Sequence, residues 1–147
     1  MTDAPNAASL KLNADQLNDF LWRAFSGGGD REQRSRIVEV SPGFLRTRLP
    51  YNPGFLRPGG VISGPTMMSM ADTAAYALIL AHIGEVEMAV TTSLTIHFLR
   101  PCKQGDLVAD ATLLRLGRRI ATCDIRLWTE APDKIAAQAM VAYAIPT

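Results

Sequence analysis

The sequence contains few of the residues that hold together disulfide-rich or metal-binding folds. It has two cysteines and two histidines among 147 residues, too few for a disulfide framework or for the common zinc motifs. Fifteen Lys and Arg against fourteen Asp and Glu leave a formal net charge of +1, so the chain has no basic field to attract nucleic acid or an anionic membrane. We expect a reducing, cytoplasmic setting, with no metal, nucleic-acid or membrane partner.

Long hydrophobic segments are also absent. The longest uninterrupted apolar run, residues 74–81, is far shorter than the roughly 20 residues that cross a bilayer. Residues 1–11 lack the charged and apolar segments of a secretory signal peptide. With 48% apolar and 20% charged residues, the chain is typical of one globular domain. We expect a flexible tail over residues 1–12 and a single domain over residues 13–147.

The first part of that domain predicts an amphipathic helix and a hairpin. Asn13 and Gln16 have the spacing of a capping box, and apolar residues then recur at helical spacing. Three glycines at 27–29 end this helix. Two β-like runs, 36–40 and 44–49, flank a Ser-Pro-Gly turn, which predicts two antiparallel strands.

A long loop and a buried helix follow. Residues 50–65 hold four of the nine prolines and four of the eleven glycines, which predicts a loop without regular elements that forms the wall of a site. Residues 64–81 are apolar on nearly every side, the pattern of a buried helix. Ser63 is its N-cap, Pro65 lies in its first turn and Gly84 ends it.

The remaining residues predict strands. Four runs are joined by short turns, and we expect them to form an antiparallel meander: 88–100, 107–116, 118–129 and 135–145. In the first run, Val90, Leu94, Ile96 and Phe98 alternate with Thr91, Ser93, Thr95 and His97 on the opposite face. Strands gathered around one apolar helix define an α+β protein, with an antiparallel sheet wrapped around a long central helix and an extra N-terminal helix.

Asp72 is the most informative residue for chemistry. It is the only side chain between Arg57 and His82 that is charged at neutral pH, and it lies in the middle of the apolar helix. Burying a carboxylate without partners is costly, so such groups serve either chemistry or a hydrogen-bond network. The residues alone leave open whether Asp72 is catalytic or is a structural residue bonded to hydroxyls such as those of Thr66 and Ser69.

The start of the central helix is a second candidate site. Around Ser63 and Gly64, free backbone N–H groups and the positive end of the helix dipole suit an oxyanion, although simple capping is the commoner role of such residues. Asp72 follows Gly64 by two helical turns, roughly 12 Å. The two residues of one chain are therefore poorly placed to act on one atom unless a second subunit brings them together.

Other polar residues have both a functional and a structural interpretation. The hydroxyl of Thr91 suits the positioning of a water molecule, but Thr is also an ordinary strand residue. His97 is a candidate base, and His82 complements the helix dipole. The sequence has no G-x-S-x-G nucleophile elbow and no nucleotide-binding glycine motif.

Three arginines stand at predicted strand ends. Arg100 ends one strand, and Arg118 and Arg119 begin another, with Lys103 close to the first. Arginine offers a bidentate fork for phosphate, and an antiparallel meander would bring these ends together. Solvated surface arginines are the alternative.

Two segments carry a resemblance to a known family. S-G-P-T-M-M-S-M-A-D-T-A at 63–74, followed by A-V-T-T-S-L-T-I-H-F-L-R-P at 89–101, resembles the hotdog-fold acyl-CoA thioesterases of the PaaI-like, phenylacetate-pathway type. The match runs from about Ile37 to the C-terminus. It implies a sheet wrapped on a long helix, subunits paired through their sheets, and sites at the dimer interface.

The resemblance also implies roles for matching positions. Asp72 matches the catalytic carboxylate, acting as nucleophile or general base, and Gly64 matches the residue whose N–H polarises the thioester carbonyl. Thr91 matches a hydroxyl that helps to place water. The family's His-Gly-Gly is replaced here by Ser63, Gly64 and Pro65.

A second departure concerns an asparagine that commonly precedes the helix. Arg57 stands at its spacing, and Asn52, in the longer loop, is the candidate replacement. Pro65 has no N–H and so removes one backbone donor from the expected oxyanion site.

The function implied is hydrolysis of an acyl-CoA thioester to the free acid and CoA, without a metal or bound cofactor. Asp72, Gly64, Thr91 and Asn52 form the expected catalytic set, and Ser63, Arg100, Arg118 and Arg119 the expected substrate-binding set. The expected assembly is a homodimer that forms a homotetramer as a dimer of dimers. Two alternatives remain: a non-catalytic acyl-CoA-binding or sensing module, and a hotdog dehydratase with His97 as its base.

Overall fold

The computed structural model describes residues 10–25 and 29–147. Its helices are α1 (Ala14–Ala24) and α2 (Gly64–Ile83). Its strands are β1 (Arg36–Ser41), β2 (Phe44–Leu49), β3 (Leu56–Arg57), β4 (Val61–Ile62), β5 (Val90–Phe98), β6 (Leu107–Leu116), β7 (Ile120–Trp128) and β8 (Ala137–Ala144). The predicted tail up to residue 9 and the first two of the three glycines at 27–29 lie outside the described residues.

Six of these strands form one antiparallel sheet in the order β1-β2-β6-β7-β8-β5, and β3 pairs only with β4. Strands from across the large sheet, β2, β5, β6, β7 and β8, contact α2. The sheet therefore curves around the helix, and the predicted α+β architecture of the hotdog type is confirmed.

The predicted four-strand meander is wrong in one connection. β6, β7 and β8 follow one another, but β5 pairs with β8 at the outer edge and not with β6. The chain leaves β5 beside Ala136, whose carbonyl accepts from the N–H of Leu99 at 2.8 Å, and crosses the helix start, where Cys102 O accepts from Ile62 N at 2.9 Å. Alternating apolar residues predict a strand but do not specify its neighbour.

The central helix is buried because it is both apolar and slim. Five alanines of α2, at positions 71, 74, 75, 77 and 81, are fully buried. Small side chains let the sheet approach closely, while Leu78, Ile79 and Leu80 fill the space on the other faces. No helix of the described residues is long and apolar enough to span a membrane.

The N-terminal helix is docked on the edge of the sheet. The predicted capping box is present, with Asn13 and Gln16 exchanging side-chain and backbone bonds at 2.8 and 2.9 Å. The Asn18 side chain bonds both the N–H and the carbonyl of Ile37 at 2.8 and 3.0 Å, which fixes α1 against β1. Just before α1, the N–H of Lys11 donates to the carbonyl of Ala81 at 2.7 Å, so the end of the predicted tail is bonded to α2.

His82 lies in the last turn of α2, as predicted, and it is also a buried hydrogen-bonding residue. The side chain is only 5% exposed. Its Nε2 accepts the N–H of Gly43 at 3.1 Å, which leaves Nδ1 to donate to the carbonyl of Leu78 at 3.0 Å. His82 therefore links α2 to the β1–β2 turn through two hydrogen bonds.

The proline-rich loop has more order than its composition predicted. Residues Pro53–Phe55 form a 3-10 turn, and β3 and β4 make a minimal hairpin. The N–H of Ser63 donates to the carbonyl of Phe55 at 2.9 Å, so the loop folds back onto the start of α2.

Candidate active site

The carboxylate of Asp72 is the centre of a three-residue hydrogen-bond network. The hydroxyls of Thr91, on β5, and Tyr143, on β8, each donate to Asp72 Oδ1 at 2.7 Å. Tyr143 also lies 3.2 Å from the backbone carbonyl of Asp72. The second oxygen, Oδ2, accepts no hydrogen bond from the part of the chain that the structure describes, so it is available to water or a ligand.

Thr91 reaches this network because β5 contains a β-bulge. Alternation predicted that Thr91 lies on the face opposite Leu94, and this prediction is wrong. Thr91 pairs with Tyr143, but the register shifts before Ser93, leaving Thr92 as the extra residue. One inserted residue moves the side chain before it to the other face of the sheet. The bulge therefore turns the Thr91 hydroxyl toward α2.

Tyr143 is a permanent donor in this network. It is 3% exposed, and burial, together with its hydrogen bond to Asp72 and the charge there, raises its pKa far above the ordinary value although the Thr91 hydroxyl opposes the shift. Tyr143 therefore remains a neutral hydroxyl at physiological pH. Its ring lies 5.8 Å from that of Tyr76, whose own hydroxyl donates to the carbonyl of Glu87 at 3.1 Å.

The network opens into a groove of about 1720 Å³ between α1, α2 and the first strands. On one wall are Asp72, Tyr76, Thr91 and Tyr143, and on the other is α1 with Trp22 and Phe25. The groove continues past α1 to residues 30–36. Tyr143, Trp22 and the arginines of that segment were missed by sequence reasoning, since no motif marks them and only the fold brings them beside Asp72.

The start of α2 offers a single free backbone donor. Pro65 has no N–H, the N–H of Thr66 donates to Ser63 Oγ at 3.3 Å, and that of Met67 to Ser63 O at 3.2 Å. The N–H of Gly64 has no acceptor among the described residues. The Phe98 ring packs against this glycine so closely that a side-chain Cβ at position 64 would lie 3.2 Å from the ring.

The other two candidates near the helix start have structural contacts. Ser63 is the N-cap of α2, and its hydroxyl also bonds the hydroxyl of Thr66 at 2.8 Å. Asn52 caps the 3-10 turn that follows it, with Oδ1 accepting from the N–H of Gly54 at 2.8 Å. The structure therefore places Gly64, Ser63 and Asn52 at the start of α2, away from Asp72.

The predicted cluster of arginines does not form within one chain. Arg100 lies beyond Phe98, where β5 pairs with the first residue of β8. Arg118 and Arg119 precede Ile120 in the chain. The β8 residue that pairs with Ile120 also pairs, on its other side, with the first residue of β5. The two groups therefore lie at opposite ends of β5, whose nine residues span roughly 25 Å. All three arginines are exposed, and Lys103, on the Arg100 side, is 3.7 Å from Glu130.

His97 lies on the outer face of the sheet. It pairs with Gln138 and alternates with Phe98, so its side chain points away from the helix and from Asp72. No histidine lines the groove among the described residues.

An antiparallel sheet closed around one apolar helix is the hotdog fold, and the groove beside Asp72 is the concave site that it carries. The chain belongs to the thioesterase superfamily, whose family model matches residues 59–136. The solved structure of a "putative thioesterase" from Silicibacter sp. TM1040 is 35% identical, covers 97% of both chains and has a TM-score of 0.86.

Two archaeal proteins of Saccharolobus solfataricus, both named "putative esterase", are also similar. One is 30% identical over 59% of this chain and 57% of its own length. The other is 27% identical over 75% of this chain and 77% of its own length. The family and the names of these relatives support a hydrolase.

Proposed function

We propose that this protein hydrolyses acyl-CoA thioesters, with Asp72 as the residue that performs the chemistry. The supporting observation is the orientation of the carboxylate. Thr91 and Tyr143 hold one oxygen, while the other is directed to neither. A carboxylate fixed in this way can attack a carbonyl carbon or remove a proton from water.

The proposed reaction adds one water molecule across the thioester bond. Oδ2 of Asp72 activates that water, or attacks first and is then released by water. The carbonyl oxygen gains negative charge, which a preorganised backbone N–H stabilises. The C–S bond breaks, the acid keeps the hydroxyl, and the thiol of CoA takes the proton. Water and groups of the protein suffice for these steps.

The N–H that stabilises the carbonyl oxygen is that of Gly64 from a second copy of the chain. In one chain Gly64 and Asp72 are separated by roughly 12 Å of helix. β5 is the edge strand, with Phe98 near Gly64 at one end and Thr91 bonded to Asp72 at the other. An antiparallel pairing of two β5 strands lays the Thr91 end of one along the Phe98 end of the other, and so joins each Asp72 to its partner's Gly64.

The same pairing supports the proposed CoA-phosphate site. It brings Arg100 of one copy toward Arg118 and Arg119 of the other, which are far apart within a chain. Exposed arginines near the mouth of a shared groove provide the cations that a phosphate-rich carrier needs. Ser63 and Asn52 keep Gly64 in place through the caps that they form.

The test is thiol release from a panel of acyl-CoA substrates with wild type and Asp72→Asn. Loss of a nucleophile or base is expected to lower kcat by about 10²- to 10⁴-fold, with an unchanged unfolding midpoint. Asp133→Asn, an exposed aspartate in the β7–β8 loop, is the matched control and should keep full activity. Near-wild-type turnover by Asp72→Asn would refute the assignment.

The alternative of a non-catalytic acyl-CoA-binding module rests on Pro65, which removes a donor from the helix start. Calorimetric titration with acyl-CoA distinguishes the two functions. Binding without thiol release from any substrate identifies a binding module, whereas turnover that depends on Asp72 identifies the hydrolase.

A further inference from the structure

The groove beside Asp72 extends well beyond the hydrogen-bond network of Thr91 and Tyr143. From Asp72 it passes along α1 and reaches residues 30–36. Its volume of about 1720 Å³ exceeds the roughly 300–1,000 Å³ of a typical small-molecule pocket. The far end therefore has room for a second part of the ligand, and the residues there indicate what that part is.

Arg34 is the distinctive residue at this far end. Its guanidinium carbon lies 5.0 Å from the centroid of the Trp22 ring, a cation–π distance that holds the group in place. One of its nitrogens, Nη1, is buried and has no hydrogen-bond partner in the part of the chain that the structure describes. Burying a guanidinium N–H without an acceptor costs folding free energy. In a ligand groove, an acceptor atom of the ligand can satisfy such a donor.

Of the other three arginines that line the groove, two are near carboxylates and the third, Arg36, is exposed to water. Arg31, also near Trp22, pairs with Asp19 at 2.6 Å, and Arg48 lies 3.4 Å from Asp106. Arg34 has no carboxylate within ion-pair distance among the described residues. Among the described residues, Arg34 is thus the one of these four arginines that has a buried nitrogen without a hydrogen-bond partner.

The acidic residues along the groove do not neutralise Arg34. Asp19 is paired with Arg31, and Asp30 accepts the N–H of Glu32 at 3.0 Å. Asp15, Asp30 and Glu32 are exposed, so water screens their charges. Arg34 is half-buried, so water screens its charge less than it screens theirs.

We propose that Arg34, stacked on Trp22, binds an anionic group of the thioester substrate at the far end of the Asp72 groove. This inference rests on the thioesterase function proposed above and names its substrate class. The anion is a phosphate of the CoA carrier or a carboxylate at the far end of the acyl group, because both accept the planar guanidinium fork.

The experiment compares four substrates: hexanoyl and 5-carboxypentanoyl groups, each as the CoA thioester and as the N-acetylcysteamine thioester, which has no phosphate. Arg34→Gln should lower kcat/KM by about 10- to 100-fold for substrates that carry the recognised anion. Hexanoyl-N-acetylcysteamine, which has neither anion, should be unaffected. Arg126→Gln, an exposed arginine on β7 that pairs with Asp124, is the control and should change none of them.

The pattern of losses identifies the source of the anion. A loss for both CoA thioesters and for neither N-acetylcysteamine thioester identifies phosphate. A loss confined to both carboxylated substrates identifies the acyl carboxylate. An equal effect on all four substrates, or none, overturns the proposal. Arg34→Lys, which keeps the charge but not the fork, replaces Arg34→Gln if that variant does not fold, and should show the same pattern with smaller losses.

A failure of the proposed hydrolysis is distinguishable from a failure of this site. If the wild type hydrolyses none of the four substrates, calorimetric titration with free CoA and with adipate tests Arg34 directly. Weaker binding of either compound to Arg34→Gln than to wild type supports the site. Equal binding to both proteins, or binding of neither compound to wild type, overturns it.

Discussion

At the scale of single residues, the orientation of Asp72 depends on two hydroxyls from different strands. Both donate to the same oxygen at 2.7 Å, so the carboxylate has one constrained and one available oxygen. Thr91 is part of the expected catalytic set, whereas Tyr143 was not foreseen. A tyrosine in an alternating strand is an ordinary core residue until the packing of that strand on α2 is known.

Tyr143→Phe removes one donor and leaves the ring. The Asp72 side chain then loses a hydrogen bond to its charged group, and kcat should fall about tenfold with a small change in KM. Tyr76→Phe is the matched control, since its hydroxyl bonds Glu87 in the same aromatic cluster without touching Asp72. Steady-state kinetics of both variants checks the prediction, and equal losses in the two would assign the effect to packing.

At the scale of elements, composition identified α2 and its caps correctly because the signals are local. Ser63, Pro65 and Gly84 stand where the helix begins and ends, and an apolar helix without a polar face has to be buried. β5 shows the opposite case. Its bulge at Thr92 depends on the partner strand, so alternation in the sequence assigned Thr91 to the wrong face.

Ser63→Ala tests the N-cap of α2. The Ser63 hydroxyl accepts the N–H of Thr66 and bonds the Thr66 hydroxyl; removing it should cost about 1 kcal/mol. For a chain of this size, that lowers the unfolding midpoint by about 3 °C. Ser69→Ala, at an exposed position within the same helix, should not be destabilised. Calorimetry of both variants gives the comparison, and an unchanged midpoint for Ser63→Ala would show that the cap contributes no stability.

At the scale of the whole molecule, the edge of the sheet is unprotected in a single chain. β5 is a long edge strand whose Val90 and Phe98 side chains are both 50% exposed. Exposed edge strands of this kind invite pairing with another chain. The separation of Gly64 from Asp72 gives the same pairing a functional reason, and this is the basis of the proposed dimer.

Complementation tests whether each site takes residues from two chains. Asp72→Asn and Gly64→Pro should each be inactive alone. Proline removes the free N–H at a position that suits a helix start, and because its Cβ would come within 3.2 Å of the Phe98 ring, the unfolding midpoint is measured to show that the variant folds. When the two variants are mixed and refolded, about half of the dimers are heterodimers. Each heterodimer has one intact site and one inactive site, so about a quarter of wild-type activity should return. No recovery despite heterodimers seen by native mass spectrometry would place the complete site within one chain.

The sequence by itself determined the apolar helix, its caps, the first hairpin and most strand positions, and it singled out Asp72 and Gly64. These features follow from spacing, turn residues and the cost of an isolated carboxylate, all of which act over a few residues. The sequence also predicted α1, which lines the groove, from the capping box at its start.

Only the tertiary structure decided the rest. β5 and β7 are both antiparallel to β8, so the end of β5 with Arg100 and the start of β7 after Arg118 lie at opposite ends of the sheet, and the bulge turned Thr91 toward Asp72. Tyr143 and Arg34 are assigned to the site because of contacts with residues that are distant in the chain or on another element, Asp72 and Trp22. The physical reason is that strand order, register and burial depend on contacts between distant segments, which local periodicity does not encode.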